Sequence, residues 1–161
     1  MTRRTRRSVG VVSGVVAAVA AIAVGAAAVG AKPAGRRDSG TVYFATTYSA
    51  GGKSYAAGNA KDKLFGAGAV TYAIKTMPTT TGAIKITSKP VTLYFKNGTL
   101  TGTATATLTV TSATAATITE GKLKAAHGTG GQAGHSLTDT FSGTGNPTAG
   151  TYKITYKGTY K

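Results

Sequence analysis

From Thr99 to Thr111 every odd position is threonine, and the even positions between them are Leu100, Gly102, Ala104, Ala106, Leu108 and Val110. A period of two sends alternate side chains to opposite faces of an extended strand. Thr is β-branched, so it fits a pleated surface and loses rotamer freedom in a helix. The segment predicts a long strand with a Thr face in water and a Leu, Ala and Val face toward an interior. Thirteen residues is long for a strand, so a bend or bulge near Gly102 is expected.

The same chemistry runs through the rest of the chain. Of 30 threonines, 28 follow residue 40, and Gly punctuates the Thr-rich stretches. No window after residue 40 keeps an apolar period of 3.6, so the class is all-β. Strands are expected at 41–48, 67–76, 82–88, 91–96, 99–111, 115–125, 136–143 and 151–160. Asn97-Gly98 predicts a two-residue hairpin turn between the fourth and fifth of these. Pro78 and Pro90 bracket the strand at 82–88, and a change of phase between Ile118 and Leu123 predicts a bulge at Glu120-Gly121. The stretch from Ala50 to Lys63 reads as the longest irregular loop. Eight antiparallel strands with short turns fit either a closed up-and-down barrel or a two-sheet β-sandwich.

The N-terminus has a different character. Arg3, Arg4, Arg6 and Arg7 precede an uncharged run from Val9 to Val29, and Val29-Gly30-Ala31 places small residues at a cleavage position. This pattern reads as a signal peptide over residues 1–31, removed near Ala31, with a secreted product. A retained membrane anchor is the alternative, although the run is rich in Ala and Gly and lacks Leu and Phe. Residues 32–40 read as a flexible leader and 41–161 as one β domain. There is no Cys, so export is not used for disulfides.

Nineteen Lys and Arg against four acids give a net charge of +15; the fifteen cations and four acids after residue 31 leave +11. Such a surface attracts anionic polymers of a cell surface. The lysines are scattered singly and do not form a run, so specific nucleic-acid recognition is not expected.

The segment Thr117-Ile118-Thr119-Glu120-Gly121-Lys122-Leu123-Lys124, followed by Gly128-Thr129-Gly130-Gly131-Gln132-Ala133-Gly134, reads as a Gly-rich hairpin. It resembles the corresponding hairpin of the allene oxide cyclase and dirigent-like barrel superfamily. Asn97-Gly98-Thr99-Leu100-Thr101-Gly102, opening a long strand before it, is also similar, and the likeness covers residues 65–160. Gln132 stands where that family has an aromatic residue, and His135 where Ala is usual. The resemblance implies an eight-stranded barrel with a lumen open at one end. It also implies, as an alternative to a binding role, a lumen enzyme of the cyclase, isomerase or dirigent type.

Catalytic groups are few. The acids are Asp38, Asp62, Glu120 and Asp139, and the histidines are His127 and His135. This inventory does not suggest a metal site or a cofactor. Asp139 shares the parity of Leu137 and Phe141, so it is expected inside, where desolvation would raise its pKa and suit it to proton transfer. Glu120 is the second candidate acid. At the C-terminus Thr-Tyr-Lys recurs at 151, 155 and 159, which places Tyr152, Ile154, Tyr156 and Tyr160 on one face and Lys153 and Lys157 on the other. Tyr152 and Tyr156 are expected to pack over Gly102, Ala104 and Ala106 and to line any site for a small hydrophobic ligand. A binding or cell-surface role without catalysis is the leading expectation.

Overall fold

A computed structural model of the chain describes residues 35–75 and 82–161; of positions 47–49 and 75 it describes the backbone alone. The expected signal peptide lies outside the described residues. Eight strands follow in order: β1 (Arg36–Ala50), β2 (Lys53–Asp62), β3 (Gly66–Lys75), β4 (Gly82–Phe95), β5 (Gly98–Ser112), β6 (Ala115–Gly130), β7 (Leu137–Asn146) and β8 (Thr151–Tyr160). Each pairs antiparallel with the next, and β8 pairs with β1 to close a barrel. Of the two architectures the strand spacing allows, the barrel is the one adopted.

The count of eight arises from a different division of the chain. β2 occupies the stretch read as a loop, and the two strands expected on either side of Pro90 are one. β2 offers little apolar signal, because its inward set is Ser54, Ala56, Gly58 and Ala60. Its smallness is what the packing needs: a Cβ on Gly58 would lie 2.7 Å from Phe44 Cδ1 and 2.8 Å from Val42 Cγ1. Strand β4 passes through Pro90 because its register against β5 slips between Ser88 and Val91, where Pro90 interrupts no ladder bond. The seam between β3 and β4 is short. Among the described residues, Ala69–Tyr72 pairs with Val91–Tyr94 and the ladder extends no further in either direction.

Two smaller corrections concern local backbone. Strand β1 starts at Arg36, paired with Tyr160 of β8, so the second half of the expected leader is barrel wall. The hairpin turn is Lys96-Asn97, with Gly98 already paired to Phe95. Position 98 has room only for glycine, since a Cβ there would strike the carbonyl oxygen of Thr129 on β6. Register slips occur at Thr101/Gly102 and at Ile118/Gly121, and Glu120 takes a φ of 53° at the second bulge. Both bulges are where the sequence predicts them.

Alternation then builds the interior. Leu100, Leu108 and Leu137 are fully sealed, and Tyr152, Tyr156 and Tyr160 face inward while Lys153 and Lys157 face out. The outward set is dominated by Thr and Lys, the reverse of the apolar belt of a membrane-spanning barrel. One end of the barrel, where β1 begins and β8 finishes, is plugged by rings. Phe65 packs on Phe95 at 4.4 Å and edge-on to Tyr160 at 4.9 Å, and His135 stacks on Tyr160 at 4.9 Å. Gln132 completes this plug. It is 1% exposed, donates from Nε2 to Asn97 Oδ1 at 2.8 Å and accepts from the Tyr160 hydroxyl at 2.8 Å.

Candidate functional site

Just inside the plug, register brings three of the chain's four acids together. Asp139 of β7, Gly158 of β8 and Asp38 of β1 occupy one cross-strand row. The next inward row holds Phe141, Tyr156, Gly40 and Asp62, from β7, β8, β1 and β2. The two glycines create the room. A Cβ on Gly158 would collide with Asp139 Oδ1, and a Cβ on Gly40 would collide with the Tyr156 hydroxyl.

Asp62 is fully engaged. Its Oδ1 accepts from the backbone N–H groups of Leu64 and Phe65 at 2.6 and 2.7 Å, which shapes the β2–β3 turn, and its Oδ2 accepts from the Tyr156 hydroxyl at 2.5 Å. Asp38 and Asp139 differ. They are 3% and 2% exposed; the Asp139 carboxyl has no hydrogen-bond partner, and Asp38 lies against the carboxyl of Asp62. Burial pushes the Asp139 carboxyl up to about 7, with the charge of Asp62 adding to it. Burial likewise pushes Asp38 up to about 8, reinforced by Asp62 and then by Asp139. Burial and the neighbouring Asp62 also raise the Tyr156 hydroxyl above its usual range, so it stays a donor.

A cavity of about 110 Å³ extends from this cluster along the barrel axis. Asp62, Asp139 and Tyr156 stand on its wall, and most of the remainder is apolar, including Val42, Leu93, Ile118 and Ile154. Asp38 is not on the wall; it faces Asp139 across Gly158. Engineered apolar cavities of about 150 Å³ hold benzene, so the space suits a guest of a few heavy atoms.

The site differs in composition from the sequence expectation. Asp139 is inside, but Glu120 is exposed on the outer face, where it accepts from Thr107 Oγ1 at 2.9 Å. The bulge turns Glu120 outward, so it does not meet Asp139. Tyr156 lines the cavity and Tyr152 does not; its ring lies over Gly145 of the adjacent strand. Ala104 and Ala106 share the cavity wall with Tyr156, and the residue pressed against the Tyr156 hydroxyl is Gly40. Asp38 and Asp62 do not stand out in the sequence as site residues, because they fall in segments that read as leader and loop. The phase of Asp38 with Gly40, Val42 and Phe44 is the signal that could have found the first. His127 is exposed on β6 and His135 belongs to the plug. Among the described residues no group of His, Cys, Asp or Glu is arranged to hold a metal ion.

Comparison of the chain with protein-family models, with curated proteins and with solved structures finds no match.

Proposed function

We propose that this is an exported binding protein whose barrel lumen takes up a small, mainly apolar molecule by a hydrogen-bond-donating head, an amine or a hydroxyl. The observation that carries the reading is Asp139, a buried carboxyl without a partner at the polar end of an apolar cavity. A buried polar group with no partner costs about 1 to 3 kcal/mol, and more when charged, so a donor placed there is favoured. An eight-stranded barrel is also the size that holds one small ligand. Arg3, Arg4, Arg6 and Arg7 and the uncharged run after them support export, and the resemblance to the dirigent-like barrels supports a lumenal site.

Butylamine, butanol and butyrate, which share a chain length and differ in the head, test this. The amine and the alcohol should raise the melting temperature of the barrel, and butyrate at neutral pH should not. Asp139→Leu should abolish the discrimination. Equal effects of all three would refute a donor-selective lumen. Native mass spectrometry of protein from its own source looks for the resident molecule directly.

A second reading, proton-transfer chemistry in the lumen, is favoured by Asp139 titrating near neutrality. In that case Asp139→Asn retains guest binding and loses turnover.

A further inference from the structure

The outer wall made by β6, β7, β8, β1 and β2 carries seven exposed cations, Arg37, Lys53, Lys61, Lys122, Lys124, Lys153 and Lys157, and Arg36 is exposed at its rim. Register sets them on a grid. Lys122, Thr140, Lys157 and Ser39 form one row, Lys124, Thr138, Thr159 and Arg37 the next, and Ser142, Thr155, Thr41 and Lys61 another. Lys122 and Lys157 stand two strand spacings apart, about 10 Å, and Lys153 and Lys157 four residues apart, about 13 Å. Asp38, Asp62 and Asp139 are turned into the lumen, so Glu120 is the exterior acid, and it is bonded across to Thr107 of β5.

We propose that this wall binds a flexible acidic polysaccharide carrying carboxylates. Charge complementarity is the first argument, since the inward-facing aspartates leave these cations with one exposed acid on their wall, Glu120 of β6. Cations about 10 to 13 Å apart can meet every second or third carboxylate of a polymer that carries one on each sugar. Between the cations lie Thr and Ser hydroxyls that can bond sugar hydroxyls. Lysine acts as a point charge and lacks the guanidinium fork that favours bidentate phosphate contacts. A nucleic acid would call for stacking platforms; among the described side chains the exposed large ring on this wall is Tyr43, and Lys153 Nζ sits 5.7 Å from its centre. The wall spans five strands of a closed barrel, so it is convex and suits a polymer that bends around it better than a flat bilayer.

Two triple variants with equal loss of charge test the proposal. Lys122→Gln, Lys153→Gln and Lys157→Gln remove cations from this wall, and Lys85→Gln, Lys89→Gln and Lys96→Gln remove them from exposed positions on β4 and the turn that follows it, opposite β8. Binding to polygalacturonate at about 0.05 M salt should weaken roughly tenfold or more in the first and less than about threefold in the second. The dependence of log affinity on log salt should flatten by about two to three in the first only. Equal losses in both triples would overturn the proposal, because net charge alone would then account for binding. Tighter binding to poly(dT) or to phosphatidylglycerol vesicles than to polygalacturonate would overturn it as well.

Discussion

The hydroxyl of Tyr156 donates a 2.5 Å hydrogen bond to Asp62 Oδ2, across 94 positions of sequence. It joins β8 to the end of β2 past the intervening β1, over Gly40, and so braces the polar end of the cavity. Removing only the hydroxyl isolates this bond. Tyr156→Phe should cost about 1.5 to 3 kcal/mol, the range for a hydrogen bond to a charged group. Tyr156→Ala also removes the ring and should cost about 3 to 5 kcal/mol. Urea unfolding of both variants measures the difference.

The buried aspartates set a pH dependence of definite sign. Asp139 and Asp38 move from an ordinary 3.8 to about 7 and about 8 on folding. Between the unfolded and folded values the native state holds more protons, so stability falls as pH rises. The stabilisation is fully present below about pH 4 and is lost as pH climbs through 7 to 8, at up to about 1.4 kcal/mol per pH unit for each group. Urea midpoints measured across that range should decline, and Asp139→Asn should flatten the decline. A midpoint that rises through the same window contradicts the burial of these groups.

Gly158 tests the geometry of the row. An Ala there collides with Asp139 Oδ1 and with the Thr138 carbonyl oxygen, and such overpacking costs about 1 to 3 kcal/mol. Combining Gly158→Ala with Asp139→Ala removes the side-chain half of the clash. The double variant should therefore be more stable than the sum of the single effects predicts, by about 0.5 kcal/mol or more. Strict additivity would place the Asp139 carboxyl elsewhere.

At the plugged end, Gln132→Leu keeps the volume and removes both hydrogen bonds. The Tyr160 hydroxyl loses its acceptor, and thermal unfolding should show a loss of about 1 to 3 kcal/mol. Asn97→Ala, at an exposed position, should cost less.

Legibility in the sequence followed side-chain size. Strands β5 and β8 are plain because Thr, Leu and Tyr mark each face with residues of unlike bulk and polarity. Strand β2 is nearly silent, since Ser54, Ala56, Gly58 and Ala60 are small and Asn59 and Lys61 are polar. Its identity comes from tertiary need: Val42 and Phe44 leave no room opposite them for anything larger. The site divides in the same way. Asp139 is found by parity with Leu137 and Phe141, whereas Asp62 ends the silent strand and Asp38 sits among Arg36, Arg37, Ser39 and Gly40, where composition suggests a leader. Gln132 reads as a turn residue, and only the fold brings Asn97 and Tyr160 to its two ends.

The short ladder between β3 and β4 gives the barrel a mechanical grain. A cylinder laced evenly resists opening in every direction, whereas this one is a rolled sheet fastened lightly along one line. Its breathing modes are expected to concentrate there, because Ala73 and Ile74 lie beyond the last rung to β4 and keep a backbone ladder to β2 alone, so that small excursions leave the opposite wall intact. Because Val70, Tyr72, Ile74, Val91 and Leu93 border both that line and the central cavity, the same excursions widen the lumen from its side. A guest of the proposed kind would then exchange at the speed of a local fluctuation, with the aromatic plug undisturbed and the global stability of the fold uncoupled from the rate of loading.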